Sequence, residues 1–446
     1  MNPLAPVIAI VFVIKHIPTT QSGAPQLYTQ YERPQVKIAF LSQYFFPEQF
    51  SNNEIAKWLV AQGHEVDVVC CVPNYPAGVF FDGYSNRSRR FEIWEGIRIH
   101  RAWTKARGHG SLSLLANFLT YPIAAARTLA RKVRGGSDVS FVSMPSPLFQ
   151  ALAGIYLKYR FGVPTVYWVQ DIWPESALLT LNLRNPIVVR PLEWICGWIY
   201  RRADLVLVQS EAFPPMIERF GVSPDKIRVF PNTAPDTYRP ISPDRNSKAG
   251  QMLAAVPSDS FRIFFAGNIG ESQDFDTYIA AAERLKAEGR AVSWVIIGSG
   301  RDMERVQNEI ARRDLNDVFH FLGRHPEEDM PLFFAHADAM LVGLKDNNIF
   351  SLTVPYKVQC YMACAKPIIG SLNGEGARII NAAQAGLTAK AETPEALARQ
   401  IAAMMDISPQ ARHQMGAAGL QYFKENYAKD IIYGNLQRWL KEIASA

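Results

Sequence analysis

Two doubly wound α/β domains facing one cleft are the architecture this sequence predicts, on three observations. Short apolar runs alternate with helical segments along most of its 446 residues. The alternation stalls once, over residues 231–260, in a stretch rich in Pro, Ser and Asp. A second alternating set then begins. Apolar strands that lack internal polar alternation belong to parallel sheets covered on both faces. A hydrophobic content of 48% is ample for two packed cores.

In chain order, "PLAPVIAIVFVI" near the start is an apolar run of 12, short of the ~20 residues that span a bilayer. Residues 1–35 therefore read as a tail outside the fold, with a superficial membrane anchor or a targeting signal as alternatives. The body begins with the strand "VKIAFLS", the helix "NNEIAKWLVAQG" and the strand "HEVDVVCCV". Next come "SDVSFVSM", "PLFQALAGIYLKYRFG", "PTVYWVQD", a helix through "RPLEWICGWIYRRA", and "DLVLVQS". The second set runs from "FRIFFAGNIG" through "DFDTYIAAAERLKAEG", "AVSWVIIGSG", "RDMERVQNEIARRD", "DVFHFLGR" and "DAMLVGL" to "SLTVPYKVQCYMACAKPIIGS". The expected division is a first domain over 36–235, a linker over 236–260, a second domain over 261–428, and a last amphipathic helix over 429–446.

Three loops of the second set follow predicted strands and point into the cleft, where open α/β sheets bind ligands. They carry Gly267, Asn268 and Gly270; Gly298, Ser299 and Gly300; and Gly323 with Arg324. Glycine lets backbone N–H groups approach phosphate or sugar oxygens. The fourth segment, 351–371, enters a helix at Val354-Pro355, with Lys357 in its first turn. No carboxylate occurs between Asp346 and Glu375. The missing negative charge is thus expected to arrive with a ligand, as a diphosphate. No Walker loop and no G-x-G-x-x-G after a first strand is present.

In the first domain, "VYWVQDIWPESALL" places Asp171 and Glu175 after a strand. Both are candidate catalytic groups; the alternative is that they cap the following helix. "QYFFPEQFSNNEIA" and "PNYPAG" border the same cleft with aromatic and amide side chains suited to a sugar ring. The "DFD" at 274–276 sits at a helix start, where Asp is favoured by the dipole, so it is not read as a metal site. Scattered histidines and five cysteines show no metal-ligand spacing. No metal and no cofactor is expected, and a reduced cytosolic setting suits the cysteines.

Charge is uneven. Between Arg98 and Ser137 lie eight basic residues and no acidic one, which leaves the rest of a chain of net charge +6 at −2. The same window holds the uncharged "SLSLLANFLTYPIAAA", followed by Arg127, Arg131, Lys132 and Arg134. Apolar surface edged by cations is the composition of a segment lying on an anionic membrane face. The alternative is a core helix followed by a solvated basic one. Nucleic acid is not expected, because no recognition motif accompanies the charge.

The motifs "QYFFPE", "PNYPAG", "QDIWPESA", "FAGNIG", "FLGRHPEEDMP", "TVPYKVQCYMACAKPII" and "NGEG" stand here in the order of a known family. From about residue 36 to its end the chain resembles the GT-B glycosyltransferases of retaining family 4. Within them it resembles the fucosamine-transferase-like subgroup of bacterial polysaccharide gene clusters. The resemblance implies two Rossmann-like domains and a metal-independent sugar transfer that keeps the anomeric configuration. It further implies a nucleotide-diphosphate donor, UDP-sugar favoured, on the second domain, with Lys357, Gln359, Arg324 and Glu375 among its contacts. The acceptor would be a polyprenyl-diphosphate-linked saccharide at the inner face of the cell membrane. Two departures stand out. Where most of the family carries two glutamates eight residues apart, alignment on Pro367 puts Leu352 and Cys360. The usual His-Asp at the first domain's strand end becomes Gln170-Asp171. A nucleotide-sugar epimerase and a catalytically silent scaffold are the alternative functions.

Overall fold

The computed structural model describes residues 35–107, 111–133, 136–180 and 185–446, apart from the side chains of residues 111, 112, 114, 115 and 180. Residues 1–34 of the expected tail over 1–35, and Arg134, lie outside the described residues. The first half holds strands β1 (Lys37–Leu41), β2 (Glu65–Cys70), β3 (Phe91–Trp94), β4 (Ile97–Arg101), β5 (Val139–Met144), β6 (Thr165–Val169), β7 (Leu205–Val208) and β8 (Ile227–Val229). They form one sheet in the order β3-β4-β2-β1-β5-β6-β7-β8, parallel except for the β3–β4 pair. The second half holds β9 (Phe261–Ala266), β10 (Val292–Ile297), β11 (Phe319–Gly323), β12 (Ala339–Gly343), β13 (Ile368–Ser371) and β14 (Gly386–Ala389). Its sheet runs β11-β10-β9-β12-β13-β14, all parallel.

Each sheet separates two apolar layers, as parallel strands require. In β1, Ala39 and Leu41 enter one core with Tyr121 and Ile199, while Ile38 and Phe40 enter the other with Ile55 and Leu59. The period-2 alternation of side chains across a strand produces that division. The second half divides likewise, with Phe264 and Val295 on one face and Phe265 and Trp294 on the other.

Two features depart from the expected organisation, and a third adds a contact. The β3–β4 hairpin, unforeseen in the sequence, widens the first sheet. The stretch expected as a linker contains the helix Lys248–Met252, and its Ala249, with Leu253 and Val256, is buried in the second half's core. That part of the stretch therefore belongs to the second domain. The helix Lys429–Ala444 packs Ile432, Tyr433, Leu436, Trp439 and Leu440 into the first half's core. Lys429 ties it further, with Nζ 3.3 Å from Glu54 and 3.0 Å from Asp236.

Because the strands of each half are parallel, their carboxyl-end loops gather along one edge. The loops after β1, β2, β5 and β6 each contain a cis X–Pro peptide, at Pro47, Pro76, Pro147 and Pro174. A direct contact joins the halves, where the Ser210 hydroxyl after β7 donates to the Leu352 carbonyl at 2.6 Å.

Candidate active site

On the second half, the loops after β9 and β10 are locked together. Gly298 has φ +138°, and a Cβ there would stand 1.9 Å from the Gly267 carbonyl oxygen. Only glycine permits that approach. The N–H of Gly267 donates to Ile297 O at 2.9 Å and that of Gly298 to Gly323 O at 2.7 Å. Both expected phosphate-facing amides are thus engaged within the sheet edge. Donors for a ligand must come from neighbours such as Asn268 and Ser299, whose N–H groups make none of the loops' backbone hydrogen bonds. Asn268 and Ser299 are exposed, and Gly300 lies between them and the helix Met303–Arg312.

Lys357 reaches this edge from the first turn of the helix Tyr356–Ala363. Its Nζ donates to Gln273 Oε1 at 2.7 Å and sits 3.9 Å from the Phe265 ring centroid. A Cβ on Gly267 would lie 3.2 Å from that nitrogen. Neither an amide oxygen nor a ring face carries a full negative charge. Although the residue is only partly buried overall, protein crowds the ammonium, and burial pulls its pKa down to about 7. Among the described residues this is a cation without a carboxylate partner. Gln273 and Phe265, its two partners, were not foreseen; Gln273 is 84 residues away in sequence.

The remaining candidates of this half take different places. Arg324 is exposed just after β11, and no ion pair holds it among the described residues. Gln359 is buried, with its amide nitrogen, in the orientation that satisfies it, donating to Tyr356 O at 2.9 Å and Pro355 O at 3.1 Å. It braces the turn that carries Lys357. Glu375 is buried in the helix Gly374–Ala382, which packs against the helix Asn348–Leu352, and pairs with Arg378 Nη2 at 2.5 Å. Of the "DFD" residues, Asp276 pairs with Arg305 Nη1 at 2.7 Å and Asp274 is buried. No cluster of metal-ligating side chains occurs among the described residues.

On the first half, Glu48 binds two loops to each other. Its carboxylate accepts from the N–H groups of Asn74 (2.8 Å), Tyr75 (2.7 Å) and Phe45 (3.3 Å). Burial pushes its pKa up to about 6 against the pull of those amides. A polar chain then crosses the carboxyl edge: Asn52 Nδ2 donates to Ser42 Oγ (2.8 Å), Ser143 Oγ to Asn52 Oδ1 (2.6 Å), and Gln170 Nε2 to Ser143 Oγ (2.9 Å). It ends beside Asp171, which is exposed and has no hydrogen bond or ion pair among the described residues. Desolvation raises the Asp171 carboxyl to about 6. Glu175 is placed otherwise, in an ion pair with Arg219 at the start of the helix Glu175–Thr180.

The basic window is only partly a surface. Arg98 binds Asp67 (2.6 Å) and Glu65 (3.2 Å), and buried Arg101 pairs with Glu92. These two belong to the basic window by composition but are structural, because their partners lie outside it. The helix Ser111–Thr128 buries Tyr121, whose hydroxyl donates to Val69 O at 2.8 Å, and exposes Leu119 and Ile123. Arg127, Arg131 and Lys132 are exposed and unpaired among the described residues. Pro122, Ile123, Arg127 and Arg131 line a depression of about 410 Å³ with Leu152 and Tyr156. Among the described residues no helix is long and apolar enough to cross a membrane.

Residues 51–233 match the family described as glycosyl transferase 4-like domain, and residues 254–422 match glycosyl transferases group 1. The two halves are glycosyltransferase domains. A putative colanic acid biosynthesis glycosyl transferase, WcaI of Escherichia coli (strain K12), is 24% identical over 298 residues, 65% of this chain and 71% of that protein. Sucrose-phosphate synthase from Thermosynechococcus elongatus superposes with a TM-score of 0.72 at 15% identity, over 92% of this chain and all of that one. Anabaena HepE, solved with UDP and glucose, gives 0.67 at 16% identity, again over 92% of this chain and all of that one. These structures fix the fold as GT-B.

Proposed function

We propose that this chain is a glycosyltransferase of cell-surface polysaccharide biosynthesis, moving a sugar from a nucleoside-diphosphate donor, a UDP-sugar by preference, to a lipid-linked saccharide. The donor's diphosphate occupies the edge around Lys357, and the acceptor lies across the gap near Asp171. The observation that carries this reading is the Lys357 ammonium, crowded by protein and lacking a carboxylate partner. A diphosphate arriving there supplies the missing charge, and charge-assisted contacts in a dry site are strong. HepE's UDP and the colanic acid relative support the donor and pathway class. The resemblance to fucosamine transferases favours an N-acetylated amino- or deoxy-sugar.

Transfer proceeds with retention and without a metal. The acceptor oxygen bonds to the anomeric carbon as the carbon–phosphate-oxygen bond breaks on the same face. The acceptor's proton passes to the departing phosphate oxygen, so no protein carboxylate need accept it. Asp171 orients the acceptor, and Lys357 balances the charge developing on the leaving diphosphate. Protein cations favour that charge more in the transition state than in the intact donor, which is what accelerates the step.

Titration calorimetry with UDP tests the assignment. Lys357→Met is expected to weaken binding by about a hundredfold, the loss of a charge-assisted contact. Equal affinity in both proteins would remove Lys357 from the donor site. A second reading, a donor-binding partner without catalysis, is favoured by Leu352 and Cys360, which are partly or wholly buried apolar packing where the family resemblance puts carboxylates. UDP binding with no hydrolysis or transfer of UDP-sugar would select it.

A further inference from the structure

Resting on the acceptor-side reading above, we propose that the edge over β4, β2 and β1 is a subsite for an anionic group of the acceptor. Arg107 is its charge and Tyr75 its exposed ring. Arg107 follows β4, and its backbone N–H donates to Asn74 Oδ1 at 3.0 Å, which fastens it to the loop after β2. Its guanidinium carbon stands 5.3 Å from the Tyr75 ring centroid. No carboxylate pairs with it among the described residues, and exposed Lys105 two positions earlier is likewise without an ion pair.

Tyr44, Phe50 and Tyr75 form a ring cluster with centroids 5.3–5.4 Å apart. Tyr75 is 37% exposed, whereas Tyr44 is 4% exposed and its hydroxyl has no hydrogen-bond partner among the described residues. A buried, unsatisfied hydroxyl near an unpaired guanidinium calls for an acceptor or donor from outside. Glu48, in the same loop, spends its carboxylate on three backbone amides and not on this hydroxyl. An arginine used only for packing on tyrosine would leave that hydroxyl unexplained.

Position in the sheet adds a length. Between β2 and β6, which leads into Asp171, lie three strand steps, or about 15 Å at the usual spacing. The anionic group therefore sits a short oligosaccharide away from the reacting hydroxyl. Two sources share this chemistry: the diphosphate that joins a saccharide to its lipid, and a uronate on a sugar of the acceptor chain.

Isothermal titration of the whole protein separates them, using farnesyl diphosphate, a glucuronate-containing trisaccharide, a neutral trisaccharide and UDP. One of the two anions is expected to bind more tightly than the neutral sugar, and which one does identifies the source. Arg107→Gln should weaken that anion by about tenfold and leave UDP binding unchanged. Arg107→Lys should recover part of the loss, which a purely structural role would not produce. Tyr75→Ala, checked for an unchanged UDP isotherm, should weaken the same probe. If neither anion binds, or Arg107→Gln binds both as the native protein does, while UDP still binds, the subsite is overturned and the donor assignment stands. Loss of UDP binding in the native protein overturns both.

Discussion

The two halves share a sheet architecture and treat charge in opposite ways. At the cleft, the second half presents a desolvated cation, Lys357, with its pKa drawn down to about 7. The first half presents two acids, buried Glu48 and exposed Asp171, both pushed up to about 6. Away from the cleft the contrast reverses. Several arginines of the second half are tied to carboxylates, as in Arg305 with Asp302 and Asp276, Arg312 with Glu309, and Arg290 with Asp406. Those of the first half's outer helix, Arg127 and Arg131, are not. Surface pairs of that kind contribute little to stability, so pairing or leaving free is a choice about partners rather than about folding. The second half hides its charge for one small anion. The first leaves its charge open to something extended.

The largest effect that could break this comparison lies at Asp171. Asp171→Asn keeps the shape and removes the acid, and kcat is expected to fall by about a hundredfold through misplacement of the acceptor, with UDP affinity unchanged. The native protein should also lose activity as pH falls through about 6, where Asp171 takes up a proton. A pH–rate profile on both proteins makes the assignment. An acid limb that survives in Asp171→Asn belongs to Glu48, whose protonation would loosen the three amides it gathers.

On the outer face, vesicle co-sedimentation sharpens the contrast. Cations held near an anionic surface each strengthen binding several-fold, and salt screens the effect. Arg127→Gln combined with Arg131→Gln should weaken binding to vesicles containing phosphatidylglycerol by about thirtyfold, and neutral vesicles should bind neither protein. Binding that persists in the double variant would make those arginines ordinary solvated charges. The same substitutions made at Arg312 and Arg290, already paired, should change nothing.

Much of this was legible in the sequence, for reasons that also explain what was not. Runs such as "LVLV" are apolar at every position because both faces of the sheet are covered, so the alternation of elements could be read directly. Lys357 stood out because no acid lies near it in the chain, and none pairs with it among the described residues. By contrast, β3 is a short strand with alternate residues exposed, and its weak apolar signal hid the hairpin. Arg98 and Arg101 looked free because Asp67, Glu65 and Glu92 reach them across sheet neighbours outside the window. The amides of Gly267 and Gly298 looked available because only the packed loops reveal where they donate. Sequence reports what is absent nearby; it does not report which distant groups fold back.

The smallest predicted effect is the most direct test of the buried cation. In the empty protein Lys357 gives up its proton as pH rises through about 7, whereas a bound diphosphate favours the charged form. Binding above that pH therefore takes up a proton, and affinity falls as pH rises. UDP-glucose is the suitable probe, since its diphosphate does not itself titrate near neutrality. Its affinity should drop about tenfold between pH 6 and pH 8, and Lys357→Met should bind weakly with a flat profile. The same linkage acts on folding with the opposite sign. An unfolded lysine keeps its proton up to about 10.5, so between about 7 and 10.5 the unfolded chain holds the extra proton and stability of the empty protein rises with pH. Lys357→Met, freed of that desolvated charge, should melt higher than the native protein at pH 7, and by less at pH 9. A cation that strengthens donor binding and weakens the empty fold is held there for its ligand; one that weakens neither, on removal, is not.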